Sequence, residues 1–273
     1  MPSEEFLNEY YTSEYYSEFS GGSHLFAVKK MFLKFRAASQ YRYITQAFRT
    51  GKVGTVLETG SGDGTFLSYF KRAGYTVTGL EYNEFTRRKA RDQYGITLQN
   101  RDILDVGPDE GKYDVIALSH VLEHMTKPVD VLKHCRHLLN DNGVVFIELP
   151  CSPVPEETHE KELIEFLETT HLYNFRFASM KALCELSGLN ILRIDRYDYP
   201  VLRLFSAYRK KISRTLMTGH PESANPIRNI PEVITVSQML IRHMFKTGAM
   251  IYVPENLPWQ GLGDNLRVIA QAH

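Results

Sequence analysis

Cysteine is scarce in this 273-residue chain, which has three. Cys135, Cys151 and Cys184 are odd in number and far apart, so they form neither a disulfide framework nor a zinc cluster. A reduced, cytoplasmic setting follows, and the sequence is read as holding no metal. An excess of charge of one sign is also missing. Lys+Arg and Asp+Glu are both 32, for a formal net charge of +0. There is thus no basic field to hold a nucleic acid and no acidic tail. No window approaches the ~18 consecutive apolar residues of a membrane-spanning helix. The opening stretch MPSEEFLNEYYTSEYY carries acids and lacks an apolar core, so it is not read as a signal peptide. Internal repeats are absent too. What remains is ordinary globular composition, 43% hydrophobic and 23% charged, at a length for one large domain or one domain with additions.

The most informative stretch runs from Thr55 to Glu81. Thr55-Val56-Leu57 is a short β-branched and apolar run bounded by glycines, the pattern of a buried parallel strand. Glu58-Thr59-Gly60-Ser61-Gly62-Asp63-Gly64 follows at its carboxyl end. Alternate glycines permit a tight turn and let a ligand approach the backbone without meeting Cβ atoms. Thr65 to Ala73 has helical spacing, with Phe66, Leu67 and Phe70 on one face, and Gly74 stops it. Thr76 to Leu80 is a second strand, closed by Glu81. A carboxylate after the second strand of such a unit can accept both hydroxyls of a ribose. Strand, glycines, helix, strand and acid together predict an adenosine-containing ligand. The glycines do not have dinucleotide spacing, and Glu58 and Asp63 would repel a pyrophosphate. A cationic ligand, such as a sulfonium with an α-amino group, suits them.

Acid-x-G-x-G-x-G over Glu58 to Gly64 resembles the motif of the class I methyltransferases that use S-adenosylmethionine (SAM), of the small-molecule type. The likeness extends from about Gly54 to Leu149, with a weaker echo beyond. It implies an α/β fold: a doubly wound, seven-stranded, mostly parallel sheet with a terminal antiparallel hairpin. Also implied are cofactor contacts from Glu58, Gly60, Gly62, Asp63, Gly64, Glu81 and Tyr82. Asp102 would bind the adenine amino group and Ile103 would pack on its ring. Ser119 opens the segment Ser119-His120-Val121-Leu122-Glu123-His124, which resembles the motif after strand four and ends in Leu-Glu-His.

The rest of the chain is read as four parts. Residues 1–50 are a helical arm or cap: a Tyr-rich stretch, then an amphipathic pattern from His24 to Phe48. Residues 51–196 are the SAM-binding core. In it, Asn83 caps a helix to about Tyr94, Ile96–Gln99 is a third strand and Tyr113–Leu118 a fourth. Val129–Leu139 is a helix, Gly143–Leu149 the fifth strand and Ile191–Ile194 the sixth. Ser179 caps a helix over Met180–Ser187. Residues 197–263 are a helical insertion capping the substrate pocket, with helices over Leu202–Leu216 and Val233–Phe245. Its basic residues Arg203, Arg209, Lys210, Lys211 and Arg214 suit either solvent or an anionic substrate. Residues 264–273 supply the last strand.

Methyl transfer to a hydroxyl benefits from a base, and histidine has the appropriate pKa. His120, fixed at the end of strand four, is the first candidate and His171 the second. The expected activity is O-methylation of a small metabolite, with a sugar, nucleotide-linked sugar or polysaccharide end as the preferred acceptor class. A nicotinamide-dependent oxidoreductase and a non-catalytic SAM-binding protein are the alternatives.

Overall fold

The computed structural model describes residues 24–47, 54–151, 171–198, 251–253 and 265–272. The Tyr-rich arm, the helices expected at 202–216 and 233–245 and the basic residues between Arg203 and Arg214 lie outside them.

In chain order the described elements are helix α1 (His24–Ala47), β1 (Thr55–Thr59), α2 (Thr65–Arg72), β2 (Thr76–Leu80), α3 (Glu84–Tyr94), β3 (Tyr113–Ser119), α4 (Pro128–Leu138), β4 (Leu139–Pro150), α5 (Phe177–Leu186), β5 (Leu189–Asp198), β6 (Ile251–Val253) and β7 (Asn265–Ala272). The strands form one mixed sheet in the order β2-β1-β3-β4-β7-β5-β6. Pairing is parallel from β2 through β4 and antiparallel from β4 to β6. The α/β Rossmann-like expectation holds, with three corrections. The sheet is mixed and not mostly parallel, because the β4–β7, β7–β5 and β5–β6 pairings are all antiparallel. Ile96–Gln99 is not a strand; Gln99 makes one parallel bridge to Leu80. Its amide donates to the Gly79 carbonyl, and its own carbonyl accepts from Glu81. Ile251–Val253, placed within a helical insertion by the sequence, instead pairs with Arg196–Asp198 at the far edge of the sheet.

Side chains alternate across the central strands, so each face builds its own core. Val56, Val115, Ala117, Val144 and Phe146 face Phe66, Leu67 and Phe70 of α2 and Ala37, Tyr43 and Ile44 of α1. On the other face Leu57, Ile116, Leu118, Val145 and Ile147 meet Leu132, Cys135 and Leu138 of α4 and Met180 and Leu183 of α5. This two-sided burial explains why β4 reads as an unbroken apolar run. Helix α1 is therefore laid on the sheet as part of the core layer. The three thiols are buried, and desolvation pushes those of Cys135 and Cys184 up to about 12, which makes them inert. Among the described residues, no helix is long and apolar enough to cross a membrane.

Local capping follows the sequence with one exception. Asn83 caps α3, its side chain accepting from the Thr86 amide at 3.1 Å. Ser179, expected as the cap of a helix from Met180, sits inside α5, which starts at Phe177; its hydroxyl accepts from the Arg176 amide at 2.9 Å.

The parallel half of the sheet places the carboxyl ends of β1 to β4 on one edge. Glu58, Glu81, Ser119 and Glu148 thus share a rim. Because β7 runs the other way, its early residue Arg267 lands opposite Glu148.

Candidate active site

The turn after β1 is built by glycines in the left-handed region. Gly60, Gly62 and Gly64 have φ of 65°, 51° and 73°. A Cβ built on Gly62 would have nothing within 4 Å, so this face of the turn is open to a ligand. At Gly60 a Cβ would come to 2.5 Å from Val121, so the turn sits tightly against the segment after β3. Gly64 is buried where α2 begins, close to Ala90 of α3. Asp63 precedes the Gly64 cap of α2, its Oδ1 accepting from the Thr65 amide at 3.1 Å and the Thr65 hydroxyl at 2.6 Å.

Glu81 is clamped from both sides. Its Oε2 accepts from the Gly62 amide and its Oε1 from the Asn83 amide, each at 2.8 Å. Burial raises its pKa, while those two amides and Arg87 pull it back. A carboxylate has about four acceptor positions, so the clamp orients it and leaves capacity for a ligand. Glu58 is 3% exposed and its Oε2 has no hydrogen-bond partner among the described residues. Burial pushes its pKa well above the usual carboxylate value; Arg36 opposes that push, and Asp63 and Glu81 add to it. Such a buried, orphaned oxygen calls for a donor or cation from a ligand.

Tyr82 donates to Asp102 Oδ2 at 2.8 Å, and Asp102 Oδ1 accepts from the Leu104 amide at 2.8 Å. Burial and the Asp102 carboxylate raise the Tyr82 phenol. Asp102 therefore caps the short turn Ile103–Asp105. Ile103 does not face the cleft. It is 0% exposed within the α4-side core, and its neighbour Leu104 is the exposed one at 45%. A turn of this kind sends successive side chains in different directions, which residue order alone does not reveal.

The segment after β3 carries the most unusual backbone. His120 has φ 54°, uncommon for a residue with a side chain, and its amide donates to the Glu148 carbonyl at 2.7 Å. Its ring lies between two carboxylates: Nδ1 is 3.6 Å from Glu123 Oε1 and Nε2 is 3.5 Å from Glu148 Oε1. Burial favours the neutral ring, but Glu123 and Glu148 outweigh it and raise the imidazole pKa. Glu148 is fully buried, with Arg267 Nε at 2.6 Å from its Oε2 and Arg36 Nε at 3.9 Å from its Oε1. Desolvation alone would raise its pKa; Arg267, His120 and Arg36 overcome this and hold it at about 2. Arg267 also donates to Ser39 at 2.6 Å, and Ser119 accepts from Gln40 at 2.8 Å, so α1 supplies polar groups to the rim.

His171 does return to this rim. The Leu172 amide donates to the Glu123 carbonyl at 2.8 Å, and the rings of His171 and His124 are 4.7 Å apart. Sequence reasoning missed Arg36, Gln40 and Arg267, whose partners are far off in the chain, and Glu123, which lies against its near neighbours His120 and His124.

Family comparison agrees with the geometry. The pattern of the methyltransferase domain family matches residues 32–194. The chain belongs to that family. It is a class I SAM-dependent methyltransferase, and the nicotinamide alternative is set aside. A ubiquinone biosynthesis O-methyltransferase of Actinobacillus pleuropneumoniae is 26% identical over 178 residues, 55% of this chain and 72% of the relative. The fold is shared with a SAM-dependent methyltransferase from Archaeoglobus fulgidus, at TM-score 0.53, 18% identity and coverage of 91% and 99% of the two chains. It is also shared with magnesium protoporphyrin IX methyltransferase of Synechocystis with bound SAH, at TM-score 0.54, 16% identity and coverage of 72% and 94%. The methyltransferase's own turn fits SAM: the face at Gly62 is open, Glu81 is oriented, and the orphaned Glu58 oxygen suits a cationic group.

Proposed function

We propose that this methyltransferase O-methylates a small metabolite, with His120 taking the proton from the acceptor hydroxyl. The observation that carries the reading is the packing of the His120 segment against the glycine turn, through Val121 and Gly60, with His120 strained and set between two carboxylates. Strained backbone of this kind clusters at functional sites. The choice of oxygen is supported by the relative named an O-methyltransferase.

SAM, when bound, supplies an electrophilic methyl on a sulfonium sulfur. Glu81 accepts the ribose hydroxyls, Glu58 faces the amino end, and Asp102, fixed by Tyr82, takes the adenine amino group. Gly60, Gly62 and Gly64 keep the turn free of side chains, while Asp63 holds it through its bonds to Thr65. Ser119, held by Gln40, lines the rim beside His120. The imidazolium that forms when His120 accepts a proton is held by Glu123 and Glu148.

The basic residues that suggested an anionic acceptor lie outside the described residues, so a sugar-type acceptor is one class among several. A screen with SAM across phenols, sugars, nucleotide sugars and lipids, read by a mass gain of one methyl, tests the reading. Methylated oxygen is expected; product methylated at nitrogen or carbon alone overturns it. Absence of any turnover favours the non-catalytic alternative.

Two binding predictions arise here. Glu81→Ala should weaken SAM by about 1.5–3 kcal/mol, the scale of a hydrogen bond to a charged group. Wild-type affinity by calorimetry in the folded variant would remove Glu81 from the ribose site. Gly62→Val should abolish SAM binding and cost about 1–2 kcal/mol of stability, the strain of a left-handed residue. Gly62→Ala has similar strain but less bulk, so comparing the two separates backbone strain from blockage. Equal SAM affinity in Gly62→Val and wild type places the ligand elsewhere.

A further inference from the structure

We infer that Glu123, His124 and His171 form a site for a divalent first-row metal ion beside the proposed base. Nothing in the linear sequence suggests it, since His171 lies far from the other two in the chain. The parallel bridge between Cys151 and Phe175 and the Leu172 to Glu123 hydrogen bond bring the segment back onto the turn Leu122–His124. One donor atom from each of the three side chains then lies within 4.8 Å of the other two.

The decisive observation is Glu123. Its side chain is 1% exposed, yet neither carboxylate oxygen has a hydrogen-bond partner among the described residues. The nearest cationic candidates are imidazoles, His120 Nδ1 at 3.6 Å and His124 Nε2 at 3.8 Å. Both distances are too long for a hydrogen bond. Burying a carboxylate without donors is costly, and buried charges are ordinarily paired or bound to metal. A cation among these three groups removes that cost.

The donor set defines the ion. Two imidazoles and one carboxylate match Zn²⁺ and its first-row neighbours, and three protein ligands leave positions open. Bonds of about 2.0–2.2 Å put neighbouring donors about 3–3.5 Å apart, so side-chain rotation has to close roughly an ångström. His124 and His171 are half-buried, and the His171 segment is a loop, so both can make that movement. An oxygen ligand in an open position would lie next to His120, because Glu123 is shared by both. If that ligand is the acceptor hydroxyl, the ion lowers its pKa; this consequence rests on the O-methylation reading, whereas ion binding does not.

The test is calorimetric titration of tag-free, chelator-stripped full-length protein with Zn²⁺. One ion per chain is expected. Glu123→Gln, His124→Ala and His171→Ala should each weaken binding at least about tenfold, with a cooperative thermal transition retained. His137→Ala, an exposed histidine elsewhere, should bind as wild type. Absence of stoichiometric uptake, or uptake that survives all three substitutions, overturns the site. Because none of these measurements uses turnover or SAM, a failure here is distinct from a failure of the methyl-transfer reading.

Discussion

Replacing His120 with alanine is expected to lower kcat by about 10²–10⁴ while SAM affinity stays near wild type, the loss typical of a general base. The backbone sharpens this experiment. His120 has φ 54°, a region that asparagine tolerates better than most residues. His120→Asn therefore keeps the turn and a polar side chain but cannot take a proton at neutral pH. It should be as slow as alanine. If asparagine restores the rate, His120 acts as a positioning residue through its turn. If His120→Ala and His171→Ala both retain wild-type kcat, neither histidine is the base.

The second large effect concerns stability. Arg267→Leu should destabilise the fold by about 3–5 kcal/mol, the cost of removing one partner from a buried ion pair. At about 2–4 °C per kcal/mol for a chain near this size, Tm falls by roughly 6–20 °C. Its partner Glu148 is fully buried, with a pKa of about 2. A carboxylate depressed in the folded state stabilises above its unfolded pKa, about 4.3, and that contribution is lost as pH falls from there through about 2. In the variant Glu148 keeps Arg36 and His120 but loses its nearest cation, so its pKa rises from the depressed value and protonation relieves part of the cost. The stability gap between wild type and variant is therefore widest near pH 7 and narrows toward pH 4. A Tm unchanged by Arg267→Leu, or a gap that does not vary with pH, contradicts this account of the pair.

Local features were the legible ones. Glu58 to Gly64, Glu81 and the Asn83 cap depend on residues within one strand–turn–helix unit, where spacing fixes geometry. The bulk of β4 was readable because a strand buried on both faces needs an apolar run. The Glu148–Arg267 pair was not, since its partners are 119 residues apart and meet by strand register. Ile96–Gln99 has strand composition but makes a single bridge, because composition does not supply a neighbour with which to pair. Ile251–Val253 is the converse: three residues that pair because β5 extends to Asp198, beyond its expected end at Ile194. Ile103 failed on direction, since a short turn separates which residue caps from which one faces out.

The order in which β4 and β7 are made has a cost during synthesis. At about 5–20 residues per second, the ribosome adds Arg267 roughly 6–24 seconds after Glu148. Throughout that interval the nascent chain holds β4, one of its most apolar strands, with one edge open and its buried carboxylate without the Arg267 counter-charge. Such an edge can pair with another chain. Anything that covers that edge until β7 arrives would limit such pairing.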